Sequence, residues 1–277
     1  MHKTLMAFAF VAASGAAWAA GYDDFVRANA ARQAGNLELA LSSYTAALVA
    51  GDLSPAFVPN AYLGRAEIYY SNGKCALAVT DLDAALALRP ALGGALQLRA
   101  YANDCLGKAD IAEADLNALV AAAPAITLYI TRGDFYWRHA RFAQAGADYA
   151  KAAALHDRRS FDWQPAAFNL LWYAISMSRS QNFVAADFAA KAKGYDLDSW
   201  PGPLVSFYLG KASQDAVYRE AAKGGNQQKC EADFFIAEWQ IASGNLAGKT
   251  LLQGIPQTCS SNAYIAVAAR IELHRIP

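Results

Sequence analysis

A 34-residue period constrains this chain more than any other feature. Gly73 and Gly107, Ala78 and Ala112, and Pro90 and Pro124 are each 34 residues apart. A further copy, with Tyr129, Gly133, Tyr136, Ala145, Tyr149 and Ala152, follows at an offset of 33. An earlier copy, with Gly35, Ala40, Tyr44 and Ala47, is offset by 38 because the loop over 51–59 is longer. Within each copy apolar residues recur at three- and four-residue intervals, the spacing of amphipathic helices. Small residues stand where two helices approach: Ala66, Ala100 and Gly133 in the first helix, Ala78, Ala112 and Ala145 in the second. Tyr62, Tyr69 and Leu82 fill the space beside them. A small residue ends the first helix, and Pro90 or Pro124 stops the second. One such hairpin cannot bury its apolar faces alone, so neighbours must stack. A non-repetitive bundle would need successive offsets near 34 to arise by coincidence.

Repeat length, small-residue positions and closing prolines together resemble the tetratricopeptide repeat (TPR) family. The resemblance covers residues 22–157 as four repeats and 168–193 as a weaker fifth. It implies an all-α fold: a TPR superhelix of about five helical hairpins, then a TPR-like hairpin and a C-terminal capping helix. The expected segments are 1–20, 21–195 for the array and 196–277 for the C-terminal region. After Lys193 the rhythm changes. Trp200, Pro201, Gly202 and Pro203 form a rigid turn. Residues 204–210 and 213–222 read as two short helices, and 224–227 as a second break. Residues 231–242 and 246–253 read as a hairpin, and 262–274 as a helix covering the open end of the stack.

One string in this tail carries a closer resemblance. It comprises Trp200 and Pro201, Phe207 to Gly210, Cys230 to Trp239, Gly244, Cys259 and residues 268–273. It is similar to the C-terminal half of the new-lipoprotein-I group of periplasmic TPR proteins. That resemblance implies a homodimer. It also implies partners of the kinds that group serves in enteric bacteria, namely peptidoglycan hydrolases and a tail-specific protease. This chain lacks the group's lipid-attachment cysteine, so a tether to the outer membrane is not carried over.

The N-terminus assigns a compartment. Lys3 gives a cationic start, residues 5–13 are almost wholly apolar, and Ala17, Trp18 and Ala19 fit the small-x-small rule of a signal peptidase. A cleaved signal peptide over 1–20 is expected, leaving a periplasmic protein without a stable membrane anchor. The rival reading, an uncleaved anchor, meets an apolar run shorter than the roughly 20 residues a bilayer requires. The 24 basic and 24 acidic residues cancel without forming blocks. That removes the basic stripe needed for nucleic acid and for anionic lipid.

Four cysteines in an exported chain are an even number available for pairing. In the repeat register Cys75 opens a second helix and Cys105 closes the next first helix, at the same end of the stack. Cys230 and Cys259 bracket the last hairpin likewise. Bridges Cys75–Cys105 and Cys230–Cys259 are expected; the alternative is four buried free thiols.

No constellation for catalysis is legible, and no cofactor or metal site is expected. His139, His156 and His274 have no ligand spacing with one another or with a cysteine. His156 and Asp157 read as a solvated turn rather than an acid–base pair. Glu67 and Asp104 fall on the inner face of the superhelix, where a glycan-cleaving carboxylate pair is not needed to explain them. That inner face is the expected protein-binding groove. Its register positions are Tyr22, Phe25, Asn29 and Arg32; Asn60, Leu63, Glu67 and Tyr70; Gln97, Tyr101 and Asp104; and Thr127, Ile130, Asp134 and Trp137. Aromatics interleaved with single charges suit an extended or helical peptide. Alternatively, Tyr101 and Trp137 pack between adjacent helices. The Lys and Asn set of a C-terminal carboxylate clamp is not present. The expected function is a non-enzymatic scaffold or adaptor. The alternative is a structural envelope subunit held by its convex face or tail.

Overall fold

The structure, a computed structural model, describes residues 12–156, 163–259 and 263–276. The cationic start and most of the apolar N-terminal run lie outside the described residues. Among the described residues fifteen α-helices follow in order: α1 (Ala12–Gln33), α2 (Leu37–Val49), α3 (Val58–Ser71), α4 (Cys75–Leu88) and α5 (Gly93–Cys105). Then come α6 (Ala109–Ala122), α7 (Ile126–Arg138), α8 (Phe142–Leu155), α9 (Gln164–Arg179) and α10 (Ala185–Ala192). The tail holds α11 (Gly202–Tyr208), α12 (Gln214–Ala221), α13 (Gly225–Ala242), α14 (Ala247–Thr258) and α15 (Ala263–Arg275). No strand occurs among the described residues.

Consecutive helices pair into hairpins closed by one recurrent turn. An amide just past each odd-numbered helix from α1 to α13 donates to the carbonyl five residues back. The pairs are Asn36 to Ala31, Lys74 to Tyr69, Lys108 to Asn103, Arg141 to Tyr136, Asn182 to Met177, Lys211 to Ser206 and Asn245 to Gln240, at 2.8–2.9 Å. This is the Schellman closure, which satisfies carbonyls left open at a helix end. It needs a left-handed residue, supplied by Gly73 (φ 70) and Gly107 (φ 72) but by Ala140 (φ 55) and Gln181 (φ 59) in the next two turns. The glycine signal therefore fades after the third repeat although the turn itself persists. The same closure at α11/α12 makes that pair a hairpin as well.

Two boundaries differ from expectation. The break at 224–227 shrinks to Gly225 (φ 73), from which α13 runs at once, so Cys230 lies inside this helix instead of opening it. The second helix of the last hairpin continues to Thr258 and contains Pro256. Compact packing divides the chain between Ala122 and Ala123 into unit 1 and unit 2. The reason lies in unit 2, where the rings of α7, α8 and α9 share one core with those of α13 and α15.

Unit 1 builds its core from small residues and a few large ones. Ala28, Ala40 and Ala47 surround Tyr44 near the first hairpin. Ala66, Ala78, Ala85, Ala95 and Ala102 surround Leu82 and Leu86 in the next. Cys75, the first residue of α4, is bonded to Cys105, the last of α5, and Cys230 is bonded to Cys259. Both expected bridges are present. The core of unit 2 is aromatic and centres on Trp172. Around that indole stand Trp137 (5.2 Å between ring centres), Phe234 (5.3 Å), Tyr264 (5.4 Å), Tyr149 (5.7 Å) and Phe235 (5.7 Å).

Candidate protein-binding faces

In unit 1 the expected groove residues come together along α1, α3 and α5. The ring of Tyr22 lies 5.3 Å from Phe57, and that of Phe25 lies 5.5 Å from it. Asn29 is fixed from behind, its Oδ1 accepting from the Tyr44 hydroxyl at 2.7 Å. Arg32 Nη1 donates to Glu67 Oε2 at 2.7 Å, linking the first repeat to the second; the side chains are 39% and 40% exposed. Glu67 is thus held by a guanidinium. Tyr70 and Tyr101 stack across the next boundary with ring centres 6.3 Å apart. Gln97 donates to the Tyr101 hydroxyl at 2.9 Å, and Asp104 stands partly exposed one turn further along α5. Asn60 is drawn aside, its Oδ1 accepting from Arg89 Nη1 at the end of α4, 3.2 Å away.

In unit 2 the expectation needs correcting. Trp137 is 3% exposed, with Phe142 at 4.9 Å and Trp172 at 5.2 Å. It packs between helices and cannot line an accessible groove. Asp134 does face inward, but its Oδ1 is already taken by the hydroxyls of Tyr149 (2.7 Å) and Tyr264 (2.9 Å). Tyr264 belongs to α15. That helix therefore does more than cover the end of a stack: it reaches the inner face of α7. His156, expected in a solvated turn, is half-buried, with Nε2 3.3 Å from Asn169 Nδ2. Its neighbour Asp157 lies outside the described residues.

Two sets of residues escaped the sequence reading. The first is a clasp inside each central hairpin: Arg65 to Asp81, Arg99 to Asp115 and Arg132 to Asp148. Each is a paired guanidinium–carboxylate contact at 2.7–2.8 Å, joining residues 16 apart. These residues repeat at the same 34 and 33 offsets as the glycines, so the signal was available. Such forked pairs fix geometry as well as charge. The second set is a buried ion cluster in unit 2. Arg179 of α9 contacts Glu238 of α13 at 3.1 Å and Glu272 of α15 at 2.9 Å, and Arg275 also binds Glu272. Both carboxylates are 0% exposed.

Burial, and then the neighbouring Glu272, push the Glu238 carboxyl up to about 8 in spite of the arginines. Burial also raises Glu272, Asp134, Glu231 and Asp233. A carboxyl raised in the folded state holds a proton that the unfolded chain has released. Stability from it is full below the ordinary carboxylate range and is lost as pH climbs toward 8. Unit 2 is therefore expected to be more stable at pH 6 than at pH 9, by of the order of 2 kcal/mol or roughly 4–8 °C in Tm. Thermal unfolding followed by near-ultraviolet circular dichroism checks this, and Glu238→Gln should flatten the difference. A Tm that rises between pH 6 and 9 would contradict it.

No metal-binding group of three or more His, Cys, Asp or Glu residues occurs among the described residues. No helix described is long and apolar enough to cross a membrane. The recurrent hairpins, their small-residue contacts and their shared turn define a TPR-type repeat fold. The structure is similar to that of a tetratricopeptide repeat protein from Parabacteroides merdae, with a TM-score of 0.57 and 15% identity. The match covers 91% of this chain and 98% of that one. At that identity the likeness concerns the fold alone. No protein-family model matches the sequence, and no curated protein matches it.

Proposed function

We propose that the chain is a non-enzymatic scaffold of the bacterial periplasm that binds a protein partner on the inner face of α1, α3 and α5. The observation that carries this reading is the coupling of half-exposed groups across successive repeats, Arg32 with Glu67 and Tyr70 with Tyr101. Rings held in place by a neighbouring repeat offer contact area at little entropic cost, and a partly exposed ion pair sets register. An extended or helical peptide fits that pattern. Export is supported by the processing signal read at 17–19 and by two disulfide bonds, which persist in oxidising compartments. The tail's likeness to the new-lipoprotein-I group adds envelope hydrolases or a protease as partner classes and a homodimer as assembly.

Affinity capture from crosslinked envelopes, read by mass spectrometry, tests the reading. Tyr70→Ala with Tyr101→Ala should lower recovery of the captured partner about tenfold or more, the loss of roughly 1.4 kcal/mol or more expected for central aromatic anchors. Undiminished capture by the double variant overturns the inner-face reading. A second reading places the partner on the outer face, where Leu39, Leu77 and Ile111 stand exposed at the same register of α2, α4 and α6. Loss of capture by Leu77→Asp with Ile111→Asp, and not by the tyrosine variant, would favour it.

A further inference from the structure

We propose that the inner face of unit 2 is a second binding site, specific for a partner's α-helix, and that α15 occupies it as an exchangeable internal ligand. α15 packs chiefly against α14 and also against α13, and its polar side chains reach α7 and α9. The tyrosine at the start of α15 donates to Asp134 Oδ1 of α7 at 2.9 Å. Eleven residues on, Arg275 donates to the carbonyls of Trp137 (2.6 Å) and Arg138, the last of α7. A cation at those open carbonyls is favoured both as a donor and by the helix dipole. Between these ends Glu272 meets Arg179.

Three features set α15 apart from a core helix. Its buried face is mostly small, with Ala266, Ala268 and Ala269 beside Ile265 and Glu272, whereas α13 buries Phe234, Phe235 and Ile236. Apolar burial therefore holds α15 weakly, and the polar contacts named above supply much of the attachment. The ion cluster is also divided so that each part keeps a partner: Arg179 stays with Glu238 on the scaffold, and Glu272 with Arg275 on the helix. With Glu272 gone, the Glu238 carboxyl loses a neighbour that holds its proton on and is free to ionise beside Arg179, which limits the cost of breaking the buried pair.

The third feature is an incomplete fit. The buried Trp137 Nε1 and Glu238 Oε1 make no hydrogen bond, and buried polar atoms left unmatched weaken an association. A better ligand would keep the tyrosine, the small-residue face and the terminal arginine, and would offer an acceptor to Trp137 and a donor to Glu238. The ligand class is thus an amphipathic helix with Tyr at its start, Glu eight residues on and Arg eleven on. Such a helix lies in a groove by its small-residue face.

The test uses the full chain with a protease-recognition segment replacing residues 260–262, so that cutting severs α15 without removing it. The probe is a fluorescently labelled peptide of residues 263–277. The cut chain should keep its helical circular dichroism and take up the probe, and the uncut chain should bind it at least about tenfold more weakly, since a tethered ligand competes at high effective concentration. A probe carrying Tyr264→Phe and Arg275→Ala should lose about tenfold or more in affinity. Unfolding or precipitation on cutting would show α15 to be an integral core helix and overturn the proposal. So would a folded cut chain that takes up no probe, or one that binds both probes alike. Neither arm involves Tyr70, Tyr101 or an envelope partner, so this result is independent of the scaffold reading above.

Discussion

Trp172→Ala is expected to destabilise unit 2 by about 3–5 kcal/mol, the cost of emptying a buried tryptophan site. The indole is 5% exposed and touches five rings drawn from α7, α8, α13 and α15. Offset and edge-on ring pairs add to area burial, so the value belongs at the upper end of that range. Against a typical domain stability of about 5–15 kcal/mol, the loss is a large fraction of what holds unit 2 folded. Urea unfolding followed by near-ultraviolet circular dichroism measures it. Trp172→Phe should recover part of the loss by keeping one ring. A change below about 1 kcal/mol in the alanine variant would mean that the ring cluster is not the centre of this core.

Removing the Cys75–Cys105 bridge is expected to have an effect nearly as large, but in unit 1. The bond closes a separation of 30 residues, worth about 3.6 kcal/mol in the chain-entropy description. It matters here because the surrounding core is alanine-rich, with Ala66, Ala78, Ala85, Ala95 and Ala102 contributing little apolar area each. Cys75→Ala with Cys105→Ala should therefore lower the urea midpoint of unit 1 while leaving the Trp172 signal of unit 2 unchanged. Treatment with reductant, which also opens Cys230–Cys259, should lower the midpoint of unit 1 equally and that of unit 2 as well. An identical midpoint in parent and double variant would show that the staple adds nothing to the packed hairpins.

The parts of the fold legible in the sequence are those that recur locally. Ala66, Ala78 and Ala100 announce close helix contacts because each repeat imposes the same small-residue requirement at the same offset. The pairing of Cys75 with Cys105 follows from that register, since adjacent antiparallel helices share an end. The same register brings Arg32 to Glu67 and Tyr70 to Tyr101. Trp137 occupies an equivalent position and was misread, because its environment is set by Trp172 and Phe142 rather than by its own repeat. The contact between Asp134 and Tyr264 spans 130 residues, and a singular long-range contact leaves no period to detect. Glu238 and Glu272 leave no period either, and only the packing of three helices shows them buried.

The Arg–Asp clasps have a consequence for how such a chain changes length over generations. Arg65 and Asp81 lie in one hairpin, as do Arg132 and Asp148, so both members of a pair are encoded within a single block of about 34 residues. Duplicating or deleting such a block copies or removes a cation and its anion together, and no neighbouring repeat inherits an unmatched buried charge. Arg99 is the informative exception, since it also reaches back to Asp83 in the preceding hairpin at 2.7 Å. That contact is on the exposed side, where losing it costs little. Tandem expansion and contraction are thus electrostatically neutral at the clasps. Lineages of this protein are expected to differ by whole central hairpins more readily than by single helices.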